Sequence, residues 1–343
     1  MIQSTHTQIR QGYIRRKIRL ISVNIILLVL TIFLCGMMLV YGKTNYPLST
    51  VIRVLSGEQI QGATFTIATL RLPRMLSGLL AGLAFGIGGN TFQTMLRNPL
   101  ASPDIIGISS GSSVAAVFCI LVLNMSGSAV SVAAVISGLI VSIIIYMLSK
   151  GSGFAGGRLI LIGIGMQAMI SSLISYLLAK ASQHDVPTAL RWLSGSLNGV
   201  GIEDVPTLFL VVVIFGITIL FLTKQLQILE LGDEFAITLS IKVNLIRIML
   251  ILSSVFLIAF ATSVTGPIAF VAFLSGPIAS RLVGLGVSNV LSSGLVGASL
   301  VLGADMIGQF VFSTRFPVGV VTGILGAPYM LFLLIVINRR GQA

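Results

Sequence analysis

Polar breaks divide this chain into apolar runs, each about as long as a bilayer is thick. A hydrocarbon core about 30 Å deep takes roughly 20 residues of α-helix per crossing. Helix is the form that satisfies every backbone N–H and C=O within one crossing segment. Runs of this kind are Leu20–Tyr41, Leu72–Phe92, Ile105–Leu123, Ala129–Leu148, Leu159–Ala179, Val205–Leu222, Leu245–Val264, Ile268–Leu285, Val290–Phe312 and Val318–Ile337. They predict about ten crossings, of which the third, eighth and ninth lack sharp polar ends. With 55% of its 343 residues apolar and 9% charged, the chain cannot clothe a soluble surface. The expected fold is an all-α membrane protein, a polytopic bundle of transmembrane helices.

Basic residues set the orientation, because cytoplasmic flanks keep Lys and Arg. Arg10, Arg15, Arg16, Lys17 and Arg19 crowd the N-terminus, and Arg339 and Arg340 lie near the C-terminus. Both termini are therefore expected in the cytoplasm, which requires an even number of crossings. The division that follows is a basic tail at 1–19, one transmembrane domain at 20–338 and a short tail at 339–343. Connections 42–66 and 180–204 fall outside, and connection 224–244 falls inside. The first run is too long and too heavily flanked for a cleaved signal peptide, so it reads as a retained helix. A net charge of +12 does not imply nucleic-acid binding, because the cations are scattered at helix ends rather than gathered on a domain face. Cys35 and Cys119 both fall in apolar runs and read as small buried hydrophobes.

Several fragments imitate other chemistries. Leu55–Gln59, LSGEQ, is one residue from an ABC ATPase signature, and Gly42, Lys43 and Thr44 resemble the end of a P-loop. Met37 stands where a P-loop needs its first glycine, and both fragments fall on the outer side, where ATP is not found. Gly163, Gly165 and Ala168 spell a GxGxxA inside an apolar run, without the βαβ context of a dinucleotide site. With His6 in the tail and His184 in a loop as the 2 histidines, no HExxH zinc site and no Ser/His pair can form in the membrane. No cofactor, metal site or enzymatic activity is expected.

Small residues spaced by four recur at Gly78, Gly82 and Gly86, at Gly107 and Gly111, and at Gly319 and Gly323. That spacing lets helices approach closely where no hydrophobic effect drives them together. The stretch RNPLASPDIIGISSGSS at Arg97–Ser113 breaks the apolar pattern. Pro99 and Pro103 donate no backbone hydrogen bond and disfavour helix before themselves. Residues 97–104 should therefore be non-helical, and broken backbone in a membrane protein survives where protein or a watery cavity covers it.

The run RLPRMLSGLLAGLAFGIGGNTFQTMLRNPLASPDIIGISSGSS, Arg71–Ser113, resembles the hallmark of the FecCD family, permease subunits of type II ABC importers for ferric siderophores, with relatives for haem and vitamin B12. RWLSGSL at Arg191, LGDEFAITLS at Leu231, TGPIAFVAF at Thr265 and FPVGVVTGILGAPYM at Phe316 follow in order, so the similarity spans nearly the whole chain. The resemblance implies ten helices in a bacterial plasma membrane. It also implies two partner ATPase subunits, a second permease and an extracytoplasmic binding protein that delivers a ferric siderophore.

Roles follow from the resemblance residue by residue. Arg71 and Arg74, with Arg315 and position Gln309, stand where the family receives acidic residues of the binding protein. Glu230, Leu231, Gly232, Asp233, Glu234 and Ala236 match the segment that couples to the ATPase. Arg97, Asn98, Pro99, Leu100, Ala101, Pro103, Gly107 and Gly111 form the interrupted stretch near the pathway. Two departures stand out: Pro277-Ile278 where many relatives have Pro-His, and Gln309 where they have Arg. Such variation resembles the second permease of systems with two different membrane subunits, which favours a heterodimer over a homodimer. Asp104 and Asp305 fall in or beside apolar runs and keep open a rival class, a proton-driven secondary transporter.

Overall fold

The computed structural model describes residues 2–149, 156–284 and 286–341. Leu285, the expected end of the eighth crossing, and the last two residues of the C-terminal tail lie outside them. Among the described residues the chain is helical, with no strand. The helices are α1 (Ile2–Val40), α2 (Leu48–Leu55), α3 (Leu72–Met95), α4 (Ile108–Leu121), α5 (Ser128–Ser149), α6 (Gly156–Lys180), α7 (Val186–Leu193), α8 (Val205–Phe221), α9 (Thr223–Leu231), α10 (Asp233–Thr238), α11 (Val243–Thr265), α12 (Val271–Val283), α13 (Val290–Phe310) and α14 (Val318–Gly341).

Among the described residues, seven helical segments are long and apolar enough to cross a membrane, and shorter apolar helices at Ile108–Leu121, Val271–Val283 and Val318–Leu333 take the third, eighth and tenth runs. The third run starts late because Pro103–Ile106 forms a 3-10 turn and Gly107 takes a left-handed φ of 73° before α4 begins. The eighth is shortened by Gly266 and by Phe270, which is left-handed at φ 64° although it carries a side chain. The ninth run is a full-length helix. The expected outer connections are not plain loops, since they hold α2 and α7. The first helix also reaches further back than its apolar run, taking the tail from Ile2 into one continuous helix.

Helix α3 is the core. Its most apolar stretch is 83% buried inside the chain, against 22% for α1 and 17% for α6. It packs against α13, α11, α12 and α8. Pro73 has no N–H to give the carbonyl four residues back, and the preceding turn, Phe65–Arg71, is wound as a π-helix. Along one face, Gly82 and Gly86 lie against the backbone of Gly297, Ala298, Ser293 and Gly294 on α13, so two nearly bare helix surfaces touch. On another face Gly89 meets the backbone of Ala272 on α12, and Gly88 meets Ile258 on α11. Gly107 and Gly111 do the same for α4 against Val141, Ile145 and Ser137 of α5. Gly319 lies on Ser194, whereas Gly323 has nothing within 4 Å. Buried hydroxyls bond back to the preceding turn, as Thr91 Oγ1 does to Ile87 O at 2.8 Å and Ser275 Oγ to Val271 O at 2.6 Å.

A side chain at Gly86 would push into the Ser293 carbonyl, which is backbone and cannot rotate away. Gly86→Val should therefore cost at least about 1–3 kcal/mol of stability through overpacking. Gly36 on α1 has nothing within 4 Å, so Gly36→Ala should leave stability unchanged. Thermal unfolding in detergent compares the two; equal midpoints would show that the α3–α13 contact tolerates a side chain.

Candidate functional site

At the outer end of α3, the four expected docking positions line one basin of about 330 Å³, together with Lys43, Thr66 and Asn198. Their side chains have different commitments. Arg71 donates to Leu39 O at 2.8 Å, Val40 O at 3.0 Å and Thr44 O at 2.6 Å, closing the open carbonyls at the end of α1. Its guanidinium also lies 5.3 Å from the centre of the Tyr46 ring. Arg74 grips Asp305 of α13 through Nε at 2.8 Å and Nη2 at 2.7 Å, a two-pronged pair, and reaches Asn198 Oδ1 at 3.3 Å. Gln309 Nε2 donates to the same carboxylate at 2.6 Å. Asp305 is therefore balanced by one cation, Arg74, and by the Gln309 amide. Arg315 and Lys43 are exposed on the rim.

The pseudo-P-loop serves Arg71, through the Thr44 carbonyl. Glu58 of LSGEQ accepts from Arg53 of α2, which holds that carboxyl below its usual range. Neither fragment forms a nucleotide cradle.

At the inner end, the interrupted stretch follows the last turn of α3. Arg97 is left-handed at φ 53°. Asn98 builds the loop around itself: its N–H donates to Gln93 O at 3.0 Å, and its side-chain oxygen accepts from Leu100 N at 2.9 Å and its carbonyl from Ala101 N at 3.0 Å. Ala101 is fully buried. Residues 97–102 are non-helical as expected, but Pro103 and Asp104 belong to the 3-10 turn. Ser102 caps that turn and donates to Asp104 at 2.9 Å, and Ser109 donates to the same carboxylate. Ser112 Oγ reaches Ala134 O on α5 at 2.9 Å, and Ser137 Oγ returns a bond to Gly111 O at 2.8 Å. The serines and glycines of the stretch thus satisfy the broken backbone and permit close packing.

Beside this loop sit α9 and α10, joined at Gly232 with φ 131° and ψ 153°. Leu226, Leu229 and Ala236 anchor them by burial. Leu231, Phe235 and Ile237 point outward, exposed at 68%, 63% and 64%. Glu230 and Glu234 are exposed, and Asp233 is turned inward onto two arginines. Arg97 Nη2 meets Asp233 Oδ1 at 2.7 Å while its Nε bonds Leu229 O at 3.1 Å. Arg247 of α11 meets both Asp233 oxygens at 2.9 Å. The interrupted stretch and the α9–α10 segment, separate in sequence, are therefore in direct contact. A cavity of about 530 Å³ lies at this inner end, lined by Asn90, Gln93, Arg97, Glu230, Pro277 and Arg281 among others. Ile278 packs into the apolar cluster of Leu27 and Leu295, where a histidine would have little to bond.

Arg247 and Asn198 escape a reading by residue pattern. The signal for Arg247 was present: a single cation in the first turn of an otherwise apolar crossing. Asn198 carries none beyond its place beside RWLSGSL. That motif meets two others in space: Ser196 N donates to Thr265 O at 2.7 Å, and Gly319 N to Gly195 O at 3.1 Å.

The Arg74–Asp305 pair is largely out of solvent, with side chains 16% and 1% exposed. Removing one partner strands the other charge, so Asp305→Ala and Arg74→Ala should each cost about 3–5 kcal/mol. The double variant should cost far less than the sum. Unfolding of the purified chain in detergent measures all three, and additive losses would show that the two groups are not energetically coupled.

The FecCD transport family model matches residues 27–336. The ferric enterobactin transport system permease protein FepG of Escherichia coli (strain K12) is 34% identical over 300 residues, 87% of this chain and 91% of its own. The achromobactin transport system permease protein CbrC of Dickeya dadantii (strain 3937) is 34% identical over 332 residues, 95% of each chain. Among solved structures, an inward-facing conformation of a metal-chelate type ABC transporter superposes with a TM-score of 0.81 at 26% identity, covering 92% of this chain and 99% of that one. The fold is thus that of a type II ABC importer permease, and the chain belongs to the FecCD transport family of membrane permease subunits.

Proposed function

We propose that this chain is the membrane subunit of an ATP-driven importer that passes a ferric siderophore from an extracytoplasmic binding protein into the cytoplasm of a bacterium. The observation that carries the reading is the α9–α10 segment. Its Leu231, Phe235 and Ile237 are exposed, in a connection that the distribution of basic residues puts on the cytoplasmic side. Exposed apolar side chains clustered outside the membrane call for a protein partner, and the family supplies one in the ATPase subunit. Glu230 and Glu234 frame that surface. The chain itself carries out no chemistry. ATP binding and hydrolysis in the partner change which state of the bundle is stable, and the cavity at the inner end of α3 opens and closes in step.

A second permease would lie against α6 and α14, whose outward faces hold Leu161, Met169 and Leu331, exposed at 72%, 62% and 63%. Gly165 and Gly323 on those helices meet nothing within 4 Å, which leaves room for a close-packed neighbour. Gln309 and Ile278 favour a different FecCD chain as that neighbour. The proton-driven alternative loses support from the internal pairing of Asp305 with Arg74 and of Asp104 with Ser102 and Ser109. On the outer side, the binding protein docks over the basin of Arg71, Arg74, Gln309 and Arg315. Arg71 and Arg74 are already hydrogen-bonded within the chain, so the reach toward an acidic partner falls mainly to Arg315.

Three outcomes test the reading. Uptake of radioactive iron, offered as several ferric siderophores to iron-starved cells with and without the gene, should lose one siderophore class. Unchanged uptake across the panel would move the substrate to haem or cobalamin. Replacing Leu231 and Phe235 with Ser should reduce co-purification of the ATPase, and undiminished co-purification would remove this surface from the interface. Arg315→Glu should weaken binding-protein affinity at low salt and do so less at high salt.

A further inference from the structure

We propose that Asp233 is the pin that joins the coupling segment to the loop at the inner end of α3, with Arg97 and Arg247 as the positioning residues that hold it. The inference rests on the importer reading above and adds the contact through which movement would pass.

One carboxylate here gathers three elements: Arg97 comes from the loop, Asp233 begins α10 and Arg247 rises from the first turns of α11. Arg97 spans the Gly232 joint, because it bonds Leu229 O on the α9 side and the Asp233 carboxylate on the α10 side. The two arginines hold it with different strength. Arg247 makes a two-oxygen contact from a side chain only 6% exposed, which fixes Asp233 to α11. Arg97 is 45% exposed and its pair is open to water, so solvent screens it and it can be made and broken. Arg97 also holds a left-handed backbone at φ 53°, a conformation that side-chain residues adopt where surrounding contacts compensate. Its chain neighbour Asn98 organises the rest of the loop, so a pull on the Arg97 guanidinium is a pull on residues 98–101.

Charge gives the arrangement a directional signature. Two guanidinium groups share one carboxylate. Neutralising Asp233 removes the carboxylate that lies between the two guanidinium groups and lets them repel each other, whereas neutralising Arg97 only loosens the contact. The Asp233→Asn defect should therefore be the larger, and Arg97→Gln should partly repair it.

The test uses the whole transporter, with both permeases, the ATPases and the binding protein, in proteoliposomes supplied with ferric siderophore. The reading is siderophore moved per ATP hydrolysed. For Arg97→Gln this ratio should fall about tenfold, within the usual range of coupling between sites. Asp233→Asn should lower it further, the Arg97→Gln/Asp233→Asn double variant should return to the Arg97→Gln value, and Arg97→Lys, which keeps the charge but cannot make both contacts, should retain more of the ratio than Arg97→Gln. A wild-type ratio in Arg97→Gln would overturn the proposal. Equal losses of uptake and hydrolysis at constant ratio would also overturn it, because they identify structural support only. If the unmodified transporter moves no siderophore on ATP, the importer reading falls first and takes this inference with it.

Discussion

The constraint on which the structure depends is the close approach of α3 to its neighbours. Lipid offers helices no hydrophobic reason to associate, so contact must come from packing. Gly82 and Gly86 against Gly297 and Ala298 let two backbones meet, and Gly89 admits Ala272 from a third direction. With α3 held in this way, one helix fixes the placement of functional groups at both membrane surfaces: Arg71 and Arg74 at its outer end, Arg97 just past its inner end. The Arg74–Asp305 pair then joins α3 to α13 at the end away from the coupling segment.

The two ends use charge differently. Outside, Asp305 is buried and matched by one arginine and an amide, a fixed closure. Inside, Asp233 is 40% exposed and is shared by two arginines from different elements, a contact that water can enter. The fixed closure suits a surface that receives another protein. The shared contact suits a segment that must move relative to its neighbours while staying connected to them. Beside the inner contact lies the cavity lined by Asn90, Gln93 and Pro277, which the proposed function uses as the cytoplasmic end of the pathway.

Much of the fold was legible because the bilayer imposes a length and a polarity on each segment. The apolar runs became helices, and Pro99 and Pro103 marked the interruption at 97–102. Helix ends were less legible, since the 3-10 turn at Pro103 and the left-handed Phe270 depend on how α4 and α12 meet other helices. The site was legible only in part. Arg71 and Arg74 were singled out by resemblance as candidate docking positions, yet Arg74 finds Asp305 across 231 residues of sequence, and no local spacing announces such a partner. Arg247 is a similar case: a lone cation in an apolar helix hints at a role, but only the fold brings it to Asp233.

In the proposed importer the inner cavity opens and closes with the nucleotide state of the partner ATPase. Thr94 lines that cavity and is partly exposed. A Thr94→Cys variant, with Cys35 and Cys119 replaced by Ser, can be exposed in inside-out vesicles to a membrane-impermeant maleimide, with and without a non-hydrolysable ATP analogue. The account predicts ready labelling without nucleotide and protection once it binds. Equal labelling in both states would contradict it.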